Sequence, residues 1–184
     1  MEDHLIIDLF FARDERAITE LSAKHGKLCR KVAHNILNNE ADAEECVNDA
    51  YLAVWNAIPP EKPKSLSAFV LRIVRNISTA RYHYLSAEKR NSFYDVALDE
   101  LADCIPSDET GVGEREKMLS EALNDFLGTL SEDDSMMFVK RYWYSESVQQ
   151  IAADFQATSH YVSVRLFRIR EKLRKFLEKR GIVI

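Results

Sequence analysis

From Thr158 onward, apolar residues recur in steps of four and three: Val162, Leu166, Ile169, Leu173 and Phe176. That period fits one face of a long α-helix and no strand. The rest of the segment is cationic. Arg165, Arg168, Arg170, Lys172, Arg174, Lys175, Lys179 and Arg180 are opposed only by Glu171 and Glu178. A helix with a single apolar stripe needs neighbouring helices to cover it.

The preceding residues supply them. Thr158 is a suitable N-cap for the long helix. Ser147-Val148-Gln149-Gln150 has the capping-box pattern and predicts a short helix with Val148, Ile151, Ala152 and Phe155 inward. Small Ala152 permits close approach of a second helix. Ser131 with Asp134 marks an earlier helix holding Met137, Phe138, Arg141 and Tyr142. A short capped helix, a tight turn and a long basic helix together predict a helix-turn-helix. Its second helix would offer Ser159, His160, Tyr161, Ser163 and Val164 to base edges, and Arg165, Arg168 and Lys172 to phosphates.

The N-terminal part reads as consecutive helices. Leu21, Leu28, Val32, Ile36 and Leu37 keep helical spacing until Asn38-Asn39 breaks it. A helix over about 41–58 follows, with Ala43, Val47, Ala50, Val54, Ala57 and Ile58 on one face, and Pro59-Pro60 ends it. After the loop Lys62-Pro63-Lys64-Ser65, with Ser65 or Ser67 as a cap, the next helix turns Phe69, Val70, Ile73, Val74 and Ile77 inward. Arg72, Arg75 and Arg81 point outward. Between Asn91 and about Glu116, periodicity weakens around Pro106, Gly111 and Gly113. The expected organisation is all-α. Two small helical domains, 1–91 and 117–184, are joined by an acidic flexible linker at 92–116.

With 184 residues, few Gly and Pro, and no long apolar run, the chain suits such a fold and predicts no transmembrane span. Its start has no basic segment of the signal-peptide kind, and three widely spaced cysteines suit reduced thiols, so a cytoplasmic location is expected. A net charge of −5 argues against nucleic acid only if evenly spread. It is not. Two basic segments, the C-terminal helix and Lys64–Arg90, flank an acidic one from Asp95 to Asp134. Two phosphate-facing surfaces follow.

The helix-turn-helix run Ser147–Phe155 with Val162, Arg165-Leu166, Arg168, Arg170 and Lys172-Leu173 resembles the second conserved domain of bacterial RNA polymerase sigma factors. The small extracytoplasmic-function (ECF) class fits best. Phe138–Tyr144 resembles the family's run before that motif. Asp42–Trp55 is similar to the helix by which the first sigma domain grips core polymerase, and Phe69–Asn76 to the promoter-melting helix after it. The resemblance implies a protein that binds core RNA polymerase and directs promoter-specific initiation in answer to an environmental or envelope signal. Asn48, Asp49, Leu52 and Trp55 would then meet the polymerase. Lys64, Ser65, Arg75, Asn76, Arg81, Tyr82, His83 and Tyr84 would meet the minus-10 element, duplex and melted. The long basic helix would read the minus-35 element. An anti-sigma protein is a further implied partner class, and the acidic linker would be mobile along positively charged channel walls. Departures are Ala80 for an acid, Gln156 for the turn glycine, His160-Tyr161 for Gly-Thr, and Asn48 for Gln. They bear on promoter choice.

Two other readings are weaker. A helix-turn-helix regulator that does not join polymerase would dimerise on a palindrome, and the N-terminal block offers neither a ligand pocket nor a coiled-coil seam for one. A metal site at His25, Cys29, His34 and Cys46 lacks the second short ligand pair that zinc uses. No nucleophile motif or Gly-rich phosphate loop is present, so neither an enzyme nor a cofactor is expected.

Overall fold

The computed structural model describes residues 1–85, 93–102 and 114–182. The chain divides into two compact units, Met1–Ser92 and Phe93–Ile184. All regular structure among the described residues is helical.

The first unit holds α1 (Asp3–Phe11), α2 (Arg16–Leu37), α3 (Glu40–Ala57) and α4 (Leu66–Leu85). Helices α2, α3 and α4 pack on one another, and α1 lies against α2 and α4. The Asn38-Asn39 break has a two-part cause. Asn38 closes α2 in the left-handed conformation (φ 50°), and Asn39 caps α3 by accepting from the Asp42 amide at 3.1 Å. Ile58, preceding proline, is extended and ends α3. Ser65 Oγ accepts from the Ala68 amide at 3.2 Å at the start of α4.

Gly26 of α2 faces Tyr51 of α3 with little room for a side chain. A Cβ there would stand 3.0 Å from the Tyr51 hydroxyl and 3.3 Å from Ser22 Oγ. Tyr51 is itself buried. Gly26→Leu is therefore expected to destabilise the first unit by about 1–3 kcal/mol through overpacking, read as a lower thermal midpoint by circular dichroism.

Helix α4 is rotated from its expected setting. Its buried stripe is Leu66, Val70, Leu71, Val74, Ser78 and Tyr82, whereas Phe69, Ile73 and Ile77 are only half-buried. Because α4 packs against three helices, its covered face continues through Ser78 and Tyr82, whose polar atoms disguise them in a hydropathy pattern.

The second unit holds α5 (Phe93–Ala102), α6 (Glu114–Gly128), α7 (Glu132–Tyr142), α8 (Val148–Asp154) and α9 (Ser159–Lys179). Phe126, Met137, Ile151, Val162, Leu166, Ile169 and Leu173 form the centre of its core. Residues 93–102, expected in a flexible linker, are instead helical, and Ala97 is buried in this core. The remaining stretch at 103–113 lies outside the described residues.

Candidate nucleic-acid interface

Caps and two charge clusters fix the helices around the long basic one. Ser147 and Gln150 form the capping box: Oγ accepts from the Gln150 amide at 3.2 Å, and the Ser147 amide donates to Oε1 at 2.7 Å. Lys140 ties α7 to α8, with Nζ 2.6 Å from Asp154 and 3.4 Å from the buried Glu146 carboxylate. Desolvation pulls the Lys140 ammonium down, but Asp154 and Glu146 outweigh it and hold it above its ordinary value. Thr158 Oγ1 accepts from the Tyr161 amide at 3.1 Å and opens α9.

Gln156, where the motif has glycine, adopts φ 50°. A side chain in that region costs about 1–2 kcal/mol relative to the right-handed form, and glycine avoids it. Gln156→Gly is expected to stabilise the second unit by up to about 1 kcal/mol, seen as a rise in its thermal midpoint.

A second cluster lies beneath. Arg141, at 2% exposure, donates to Glu100 through Nε at 3.2 Å and Nη2 at 3.3 Å, and to the Glu146 carbonyl at 3.0 Å. The Tyr142 hydroxyl donates to Glu100 at 3.0 Å, and Arg170 Nη1 donates to that hydroxyl at 2.7 Å. Burial first, then the Glu100 charge, pushes the Tyr142 phenol well above its ordinary value, so it stays a donor. Arg170 is thus an internal strut of α9. Glu100 was hidden in sequence among linker acids; only its spacing from Ala97 hinted at an inward position.

On α9, Ser159, His160, Tyr161 and Ser163 are exposed at the start of the helix, and Arg168 and Lys172 follow on later turns. Val164 and Arg165 are half-buried. Arg165 Nη2 stands 2.6 Å from Asp134, and its guanidinium carbon lies 5.8 Å from the Tyr161 ring centroid. The expected face is thus brought together, with Arg165 turned partly to protein.

The expected minus-10 residues are more divided. Lys64 and Ser65 are exposed before α4, while His83 and Tyr84 are exposed at its other end, about 30 Å away along twenty residues. Asn76 and Ala80 are exposed, and Arg75 is half-buried. Two residues depart from the expectation. Tyr82 is turned into the core at 9% exposure, so it does not share a surface with the 81%-exposed Tyr84. Arg81 is held by α3, 2.8 Å from Asp42 and 3.0 Å from Glu45. The Asp42 hydrogen bond and the Glu45 charge raise its guanidinium above the usual value.

On α3, Asn48, Asp49 and Leu52 are exposed on one face. Trp55 is only half-exposed: it meets Phe10 edge-on at 6.0 Å, and Arg13 lies 5.4 Å over its ring and donates to its carbonyl at 2.6 Å. Helix α1, which supplies Phe10 and is followed by Arg13, shows no clear period in sequence because Leu5–Phe11 is almost continuously apolar. Of the metal-site candidates, His25 Nε2 lies 3.0 Å from Asp3 Oδ1, and Cys29 and Cys46 are buried. No group of three or more His, Cys, Asp or Glu residues placed to hold a metal occurs among the described residues.

Residues 21–88, from within α2 to just beyond α4, match the Sigma-70 region 2 family. Over 99% of its length the chain is 25% identical to the RNA polymerase sigma-H factor of Bacillus licheniformis, covering 89% of that protein. The same protein of Bacillus subtilis (strain 168) is also 25% identical, again over 99% of this chain and covering 91% of the relative. Residues 21–88 thus carry a Sigma-70 region 2 domain, and the chain is similar along nearly its whole length to two RNA polymerase sigma factors. A solved structure of CnrH in complex with the cytosolic domain of CnrY aligns with 96% of this chain and 97% of that one, at 20% identity and a TM-score of 0.45. No described helix of the chain is long and apolar enough to cross a membrane.

Proposed function

We propose that this chain is an RNA polymerase sigma factor of the ECF class, which binds core polymerase and holds a promoter at two points, one per unit. In this reading α3 docks on core polymerase through Asn48, Asp49 and Leu52, with Trp55 contributing from its half-buried setting. Lys64, Ser65, Arg75, Asn76, His83 and Tyr84 on and around α4 engage the minus-10 element. Capturing unstacked bases needs aromatic faces and cations, and the exposed Tyr84 ring suits that work. Tyr82 and Arg81 would support this surface from within. The start of α9 reads the minus-35 element. Response to an environmental or envelope signal, with an anti-sigma protein as the holding partner, belongs to the same reading. Catalysis stays with the polymerase.

The observation that carries the reading is the exposed, capped start of α9 on a chain whose other unit matches Sigma-70 region 2. Run-off transcription with purified bacterial core polymerase tests it: discrete transcripts that depend on both promoter elements are expected. Failure to initiate with any core enzyme, together with tight binding to a palindrome, would favour a polymerase-independent regulator.

A further inference from the structure

Asp134 lies in the first turn of α7, and its side chain is 7% exposed. Two cations of α9 converge on it. Arg165 Nη2 is 2.6 Å from Oδ1, and Lys172 Nζ is 3.7 Å from Oδ2. Seven residues separate these cations, about two turns or 10 Å along the helix. One buried carboxylate therefore spans the flank that the proposed reading turns towards phosphates.

Two consequences follow from that placement. A long cationic side chain left in water loses considerable rotamer freedom on meeting DNA, about 2 kcal/mol for lysine or arginine. Arg165 has lost part of that freedom already. Its Nε is buried without a hydrogen-bond partner, and its guanidinium sits beside the Tyr161 ring. The carboxylate also cancels positive charge that would otherwise attract any phosphate backbone, whatever its sequence. Pre-ordering favours the right site, and charge cancellation disfavours the wrong ones.

We infer that Asp134 is a positioning residue for promoter recognition, setting Arg165 and the adjoining Tyr161 ring in the geometry the minus-35 duplex meets while reducing indiscriminate phosphate attraction. The inference rests on α9 being the minus-35 helix. The sequence pattern gave Asp134 only a place at the start of α7.

The test uses holoenzyme assembled from the full chain and core polymerase. Its probes are a duplex recovered by wild-type holoenzyme from a library randomised across the minus-35 segment, and a scrambled duplex of equal length. For Asp134→Asn, the ratio of the two affinities is expected to fall roughly five- to ten-fold. Scrambled duplex should bind as tightly as before or more tightly, with a steeper dependence on salt. Asp134→Glu should recover part of the ratio. An unchanged ratio, or equal loss on both duplexes, overturns the inference. If Asp134→Asn does not fold, Arg165→Gln must lower the ratio without steepening the salt dependence, or the inference falls. Failure of wild-type holoenzyme to select any sequence in the randomised segment is a separate result, which removes the minus-35 reading itself.

Discussion

Replacing Arg141 with alanine is expected to lower the thermal midpoint of the second unit by well over ten degrees. Its guanidinium is 2% exposed, holds both oxygens of Glu100 and donates to the Glu146 carbonyl. Removing one member of a buried pair costs about 3–5 kcal/mol, because the remaining charge is left poorly compensated. For a domain of 60–100 residues each kcal/mol moves the midpoint by about 4–8 °C. The loss should be confined to the transition of residues 93–184. A double variant, Arg141→Met with Glu100→Gln, removes both charges and should recover much of the loss, since an apolar replacement of a buried pair is often neutral. Circular dichroism of the full chain checks both. An unaltered second transition in Arg141→Ala would mean that the cluster contributes nothing to holding α5 in place.

That cluster also shows where sequence reasoning stops. The caps at Ser65, Ser131, Ser147 and Thr158 are legible because a cap is a contact over three residues, readable from neighbours alone. Of the apolar stripe on α9, Val162, Leu166, Ile169 and Leu173 are buried and Phe176 packs at the edge of the core. The cations can be counted in sequence but their partners cannot. Arg81 meets Asp42 and Glu45, Arg165 and Lys172 meet Asp134, and Arg170 meets Glu100. Each pairing joins elements far apart in sequence, and no periodicity announces it. Several cations read as available for phosphate are therefore already engaged. The burial of Tyr82 has a related cause: three packed neighbours widen the buried face of α4 beyond its apolar residues.

The same contrast between surface and interior governs α3 and its proposed docking on polymerase. Leu52 is 58% exposed, and Asn48 and Asp49 share its face. An exposed leucine beside polar groups contributes little to the fold and can bury apolar area against a partner. Leu52→Glu should leave both thermal transitions unchanged. It should weaken holoenzyme assembly by about 2–3 kcal/mol, roughly thirty- to a hundred-and-fifty-fold, because a carboxylate would be carried into the contact without a partner. Titration of labelled core polymerase with the purified chain measures this. Trp55→Ala should behave differently, because its ring also packs on Phe10 and lies under Arg13. It should lower the midpoint of the first unit as well as the affinity, and a variant that weakens both cannot separate docking from folding. Leu52 can. Undiminished assembly by Leu52→Glu would move the polymerase contact off this face of α3 and leave Trp55 as a tryptophan that fastens α1 to α3.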